Sequence, residues 1–298
     1  MTGVQTCALP IWLVLPLVNL VVAFAVAGLV VVAVGENPLE VVALMLRGAL
    51  GYPEGLGFTL YYATDYVFAG LAVALAFQAG LFNIGAEGQA TLGGLGVALV
   101  CLAFDGAPWW LVAPFAVAAA GLFGAAWAFL PGWAQARRGS HVVITTIMFN
   151  YLAATLMVWL LVDVLGKPGA MSPETRMFAE ATRLPSLRDL VLPLGLDLGR
   201  SPLNPMIVVA GLAVVFVWVL VWRTRFGFEL RTVGKSPAAA VYAGIDPGHV
   251  VIVAMLISGA LAGLLAVNEV MGSQHRLLLD FAGGDVVHVN SVRRPTPS

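Results

Sequence analysis

The chain has 298 residues, 60% of them hydrophobic and only 10% charged, with mean hydropathy +0.93. Soluble domains carry about 25% charged residues, so this composition excludes a water-soluble globular domain and describes an integral protein of the lipid bilayer. The formal net charge of −1 provides no basic surface for nucleic acid, and no nucleic-acid partner is expected.

Leu9 to Val34 contains no charged residue. At 1.5 Å per residue it reaches about 39 Å, enough to cross a bilayer with tilt, and it lacks the basic start of a signal peptide. Further helical spans are expected at 60–82, 88–104, 109–131, 142–165, 205–222 and 249–271. Each is too long and too continuously apolar for a strand of an outer-membrane barrel. The expected fold is therefore all-α, a polytopic transmembrane helix bundle of about seven spans.

The connections differ in kind. Residues 35–58 read as a loop holding Glu36, Glu40, Arg47 and Glu54, and 132–141 as a short turn with Arg137 and Arg138. Residues 166–204 form the longest polar stretch, and 223–248 carry Arg223, Arg225, Arg231 and Lys235. Alternation of sides puts 132–141 together with 223–248, opposite 35–58 and 166–204. Basic residues do not orient the bundle. Positions 137, 138, 223, 225, 231 and 235 on one side are balanced by 47, 167, 176, 183, 188 and 200 on the other, before Arg276 is added.

Both termini look foreign. Met1–Trp12 (MTGVQTCALPIW) resembles translated sequencing-adapter sequence, and from Asp285 the chain turns abruptly polar. The expected domain is 13–284, with non-native stretches at 1–12 and 285–298 and a C-terminal truncation. The two cysteines, Cys7 and Cys101, suggest no disulfide framework, and the four histidines (141, 249, 275, 288) have no metal-ligand spacing.

Two segments carry the functional signal. The first is Leu81-Phe-Asn-Ile-Gly-Ala-Glu-Gly-Gln89, polar and glycine-bearing between two apolar runs. A charge near the bilayer centre costs roughly 2.5–3.5 kcal/mol, so Glu87 must meet protein or water. Gly85 and Gly88 allow an interrupted helix whose freed backbone groups need partners beside them. Asn83, Glu87, Gln89, Asn150, Asn268 and Glu269 are the candidates for a translocation path or gate. Structural roles compete with this at Asp65 and Asn150, and Glu87 either lines the path or braces helices along it. Gly259-Ala-Leu-Ala-Gly263 reads as a small-residue packing face.

The second segment is a short helix written in full. Ser236 can cap it, Pro237 fits the first helical position, Ala238-Ala239-Ala240-Val-Tyr242-Ala propagates it, and Gly244 can end it. Gly234-Lys235-Ser236 is not a phosphate-binding loop, because Glu229 stands where that pattern requires glycine. No ATP or other cofactor is expected on this chain. No H-E-x-x-H, G-x-S-x-G or comparable catalytic set is present, so an enzyme is not expected.

Four motifs in order carry a resemblance that spans about residues 13–284. They are the 81–89 segment, Ser140-His-Val-Val-Ile-Thr-Thr-Ile-Met-Phe-Asn-Tyr151, Gly227 to Ile245, and Ser258 to Glu269. Together the chain resembles the ABC-transporter permeases of the nucleoside and simple-sugar branch, relatives of the ribose and branched-chain amino-acid permeases. The resemblance implies the permease subunit of an ATP-driven importer in a bacterial inner (plasma) membrane. It implies three protein partners: a cytoplasmic ABC ATPase that uses the ATP, a second permease subunit, and an extracytoplasmic substrate-binding protein. Gly234, Ser236, Pro237, Ala238, Ala239, Ala240, Tyr242 and Gly244 would form the coupling helix, which places 223–248 in the cytoplasm and 166–204 outside. Nucleosides are the expected cargo ahead of simple sugars. Two alternatives stay open: an ion-coupled secondary transporter with a broken helix at 83–89, and an inactive truncated fragment.

Overall fold

The computed structural model describes residues 8–166, 172–192, 199–279 and 281. Met1 to Cys7, Lys167 and the tail from Asp285 lie outside the described residues, and so do the corresponding parts of the expected non-native stretches. Among the described residues the chain is helical, with a single isolated antiparallel bridge between Glu174 and Leu278. Seven helices are long and apolar enough to cross a membrane, as the sequence predicts.

The chain divides into two units, Met1–Leu56 and Gly57–Ser298. The first contains α1 (Ala8–Val34) and α2 (Pro38–Leu50). Here the expected loop at 35–58 is corrected. Asn37 caps α2, its side chain accepting from the Leu39 N–H at 3.0 Å, and Pro38 takes the first helical position. The charges of 35–58 therefore decorate a helix, and α3 (Pro53–Gln78) begins within the same stretch.

In the second unit α3 is followed by α4 (Ala86–Ala103), α5 (Trp109–Arg138) and α6 (Val142–Trp159, continued as a π-helix to Val164). Next come the short α7 (Leu187–Val191), then α8 (Met206–Arg223), α9 (Arg225–Lys235) and α10 (Pro237–Tyr242). The last is α11 (Pro247–Ala266), which passes into a wider π-helix at Val267–Gln274. Two connections are shorter than expected. α5 runs on to Arg138, so the turn after it is only Gly139–His141, with Gly139 left-handed at φ 66°. The 223–248 loop contains α9 as well as the expected capped helix.

The core of this unit is the contact of α4, α5 and α11, and small residues make it. A Cβ on Gly263 would lie 2.2 Å from the Ala120 carbonyl, and one on Gly259 2.5 Å from that of Gly124. A Cβ on Gly93 of α4 would lie 2.6 Å from the Gly263 Cα. Between helices in lipid, such close backbone approach supplies the dispersion that hydrophobic burial cannot. The 259–263 segment is the packing face expected of it.

The ends of the unit sort into two groups. At one end the 172–184 segment lies along residues 271–277, with Thr175, Phe178 and Leu184 N–H groups donating to the carbonyls of Leu277, His275 and Met271. Thr182 and Asp105 tie the same segment to the α4–α5 turn through Gly106 and Ala179. At the other end the α5 terminus approaches Gly248 through Ala136, beside α9, α10 and the start of α11. Within this unit 132–141 and 223–248 share one end, and 172–184 lies at the other.

Candidate functional site

α3 ends at Gln78 and α4 begins at Ala86, two separate spans, and the chain between them at residues 79–85 is non-helical although Asn83 within it is buried. Backbone groups freed at such a break have no water to turn to, and each one left unpaired costs several kcal/mol. The candidate residues supply the partners. Asn83, 1% exposed, accepts from the Gly85 N–H at 2.9 Å and from Gln89 Nε2 at 3.2 Å. Its own Nδ2 donates to Gln89 Oε1 at 3.0 Å and to Ser258 Oγ at 2.9 Å. Ser258 then donates to the Ala72 carbonyl at 2.7 Å, tying the break to α11 and back to α3.

Asn150 of α6 closes the other side. Its Oδ1 accepts from Gly88 N–H and its Nδ2 donates to the Ile84 carbonyl, both at 3.0 Å. One side-chain amide thus stands in for a missing peptide neighbour, and Gly88 N–H is one of the unpaired donors that every helix start presents. Gly85 and Gly88 are required by space: a Cβ on Gly85 would sit 3.0 Å from Thr146 and Gln89, and one on Gly88 2.9 Å from Asn150 Oδ1.

Of the two roles expected for Glu87, the bracing of helices is not seen. It lies in the first turn of α4 with its side chain exposed, and only its backbone carbonyl is engaged, accepting from Thr91. Within this chain it braces no helices. A carboxylate in a first helical turn is favoured by the helix dipole. Asn83, Gln89 and Asn150 do the bracing instead.

Asn268 and Glu269 belong to a second network at the π-helical end of α11. Tyr61 donates to Glu269 Oε1 at 2.6 Å, and Asn268 Nδ2 donates to Asp65 Oδ1 at 2.9 Å. Asn204, ahead of α8, donates to Asn268 Oδ1 at 2.8 Å and accepts from the Met206 N–H at 3.0 Å. Asp65 therefore shares a structural network with both candidates. This second feature is a π-helix, an interruption of a different kind from the 79–85 break. Tyr61, Asn204, Thr146 and Ser258 were not singled out in the sequence. A hydroxyl or amide inside an apolar span was the available signal.

The capped helix forms as expected. Ser236 accepts from the Ala239 N–H at 3.3 Å, Pro237 starts α10, and Gly244 follows it at φ 77°. Ala238, Ala239 and Tyr242 are exposed, Tyr242 at 97%. Ala240 is fully buried against the bundle, whereas Val241 is exposed. Six residues make little more than one and a half turns, so one alanine must point inward.

Gly234 joins the two segments. It sits at the end of α9, and a Cβ there would lie 2.1 Å from the Gln78 carbonyl and 3.0 Å from the Gly80 N–H. Gly80, left-handed at φ 72°, faces the Gly234 carbonyl in return. Backbone rests on backbone where α3 ends and α10 begins.

The opposite end is held by charge. Arg176 pairs with Asp105, and Arg276 with Glu174 at 2.9 Å. The Arg176 hydrogen bond, helped by the Ala179 N–H, holds the Asp105 carboxyl below the usual carboxylate range. His275 is left-handed at φ 55°, and burial, with Arg183 nearby, pushes its imidazole below the ordinary histidine value.

The chain matches the family described as branched-chain amino acid transport system / permease component over residues 55–280. It is 36% identical over 261 residues to the guanosine ABC transporter permease protein NupP of Bacillus subtilis, covering 88% of this chain and 72% of that one. It is 34% identical over 282 residues to the glucose ABC transporter permease protein TsgB13 of Haloferax volcanii, covering 92% and 73%. To the nucleoside ABC transporter permease protein NupB of Lactococcus lactis it is 31% identical over 271 residues, covering 91% and 74%. No solved structure gives a significant match.

Proposed function

Because the chain belongs to the branched-chain amino acid transport system permease family, as an ABC-importer permease of the nucleoside and sugar branch, we propose that its cargo is a nucleoside delivered by a substrate-binding protein. The names borne by two of the three relatives above, guanosine and nucleoside permeases, support a nucleoside ahead of a hexose. The chain is a multi-pass membrane protein. The bacterial inner membrane is the location this reading assigns, with a cytoplasmic ATPase, a second permease subunit and an external binding protein as partners.

The observation that carries the mechanism is the Gly234–Gly80 contact between the surface helix and the broken span. The exposed face of α10, with Ala238, Ala239, Val241 and Tyr242, seats in the ATPase. ATP binding draws the two ATPase subunits together and moves α10. Gly234 transmits the shift to Gly80, and the 79–89 segment and its asparagine clamp change packing between outward and inward access. ATP is consumed by the partner subunit.

Three arginine–tryptophan pairs mark the α10 end. Arg138 lies over Trp133, Arg223 over Trp218 and Arg231 over Trp222, at 5.8, 5.3 and 4.6 Å, all at the α10 end. At the other end Arg176 and Arg276 are neutralised by carboxylates. Equal basic counts leave the orientation undecided; the cytoplasmic α10 end is what the family reading assigns. The cargo is tested by a thermal-shift ligand screen of the binding protein encoded with this chain. Purine nucleosides should raise its melting temperature; stabilisation by a branched-chain amino acid alone would overturn the assignment.

A further inference from the structure

The exposed surface of the second unit is not uniform at membrane depth. α8 presents Val208, Leu212, Val215 and Val219 to its surroundings and places Trp218 and Trp222 toward its α10 end. α5 likewise exposes leucine and phenylalanine along its length, with Trp110 near its start and Trp133 toward its end. Hydrocarbon in the middle and tryptophan near the ends is the pattern of a lipid-facing helix.

α3 breaks that pattern. Tyr66 is 75% exposed, and it stands 12 to 13 residues from either end of the helix, roughly 18–20 Å along the axis and hence near the bilayer centre. Tyr62, one turn before it, is also exposed. Half-buried Asp65 lies between them in sequence, on the Asn268 network. A phenol belongs where its ring is covered and its hydroxyl is wet, and an intramembrane carboxylate faces protein or water. Hydrocarbon offers neither.

We propose that the Tyr62–Tyr66 face of α3 lines the water-filled translocation path and receives a hydroxyl-bearing solute with a flat apolar face. This rests on the reading of the chain as the transport subunit. The rings give a flat solute a surface to slide across. Asp65 and Glu269 behind them are already engaged by Asn268 and Tyr61, so the recognition offered here is that of the rings. A nucleoside and a hexose both meet the description, through a heterocycle or a sugar-ring face.

The test is cysteine accessibility in membrane vesicles carrying the full chain and its ATPase, with Cys7 and Cys101 replaced by alanine. A charged, water-soluble thiol reagent reacts with thiolate, which forms only where water reaches. Tyr66→Cys should label at least about tenfold faster than Val215→Cys, a 58% exposed position at the same depth on α8. Tyr62→Cys should label comparably, and this second position decides if the first variant does not assemble. Guanosine or D-glucose at millimolar concentration should slow the labelling, and the difference between them names the solute. Three outcomes overturn the proposal: labelling no faster than Val215→Cys, protection by leucine alone, or an unlabelled Tyr66→Cys that cross-links to a second copy. None of these depends on measured uptake, so failure here is distinguishable from failure of the importer reading.

Discussion

Gly234→Ala is a sharp perturbation because it adds one methyl group where two backbones touch. Its Cβ would lie 2.1 Å from the Gln78 carbonyl oxygen, while real contacts essentially never fall below 3.0 Å, so the segments must part by about 0.9 Å. No side chain can swing aside, since the opposing atoms are backbone. Nor can α9 tilt freely: Gly227 at its start is wedged against the carbonyls of Leu220 and Val221, with a Cβ at 2.2 and 2.3 Å. Overpacking of this kind costs roughly 1–3 kcal/mol. Charged to the coupling between α10 and the broken span, that is about a 5–150-fold loss. The assay is solute transported per ATP hydrolysed in proteoliposomes holding the complete transporter. The variant should still bind the ATPase and hydrolyse ATP, with uptake per ATP falling within that range. An unchanged ratio in a variant of unchanged thermal stability would refute the transmission role of the contact.

Other expectations follow from particular side chains. Tyr242→Ala should weaken ATPase co-purification while leaving the melting temperature of the chain unaltered. Ala240→Asp should lower that temperature, because it buries a carboxylate at a fully enclosed position. Asn150→Leu strands the Gly88 N–H and the Ile84 carbonyl. Thermal unfolding should register a loss of about 1–3 kcal/mol for each group left unpaired. His275 is held neutral by burial, so the unfolded chain binds its proton more readily. Stability should therefore decline as pH falls through the ordinary histidine range, and His275→Asn, which also tolerates the left-handed backbone, should flatten that decline in a pH series. Asp105 shifts the same way for the opposite reason. Its ionised form is favoured by Arg176, so that stabilisation is present above the usual carboxylate value and is lost below it.

Span positions and the capped helix were legible because each rests on local chemistry. A run of apolar residues has a length, and Ser236-Pro237 has a capping geometry, whatever surrounds it. The break at 79–85 was legible for the same reason, through Gly85, Gly88 and the polar residues around them. α2 and α9 were read as loops because their charges, set on amphipathic helices, look like the charges of a connection. Glu87 could not be oriented from sequence, since α4 is apolar and small on nearly every face and its periodicity names no outer side. The Gly234–Gly80 contact joins residues 154 positions apart and has no sequence signal beyond glycine itself. Ala240 and its neighbour Ala239 are identical residues with opposite exposures, which only the packing of α10 decides.

The central claim is that this chain carries solute across the membrane at the expense of ATP hydrolysed by a partner. Its most direct test is guanosine uptake into proteoliposomes containing the chain, its partner permease and ATPase, with the loaded binding protein outside and ATP within. Uptake should require ATP and persist when a protonophore collapses the ion gradients. Uptake that ignores ATP and disappears with the protonophore would contradict the account and favour an ion-coupled carrier built on the same broken helix.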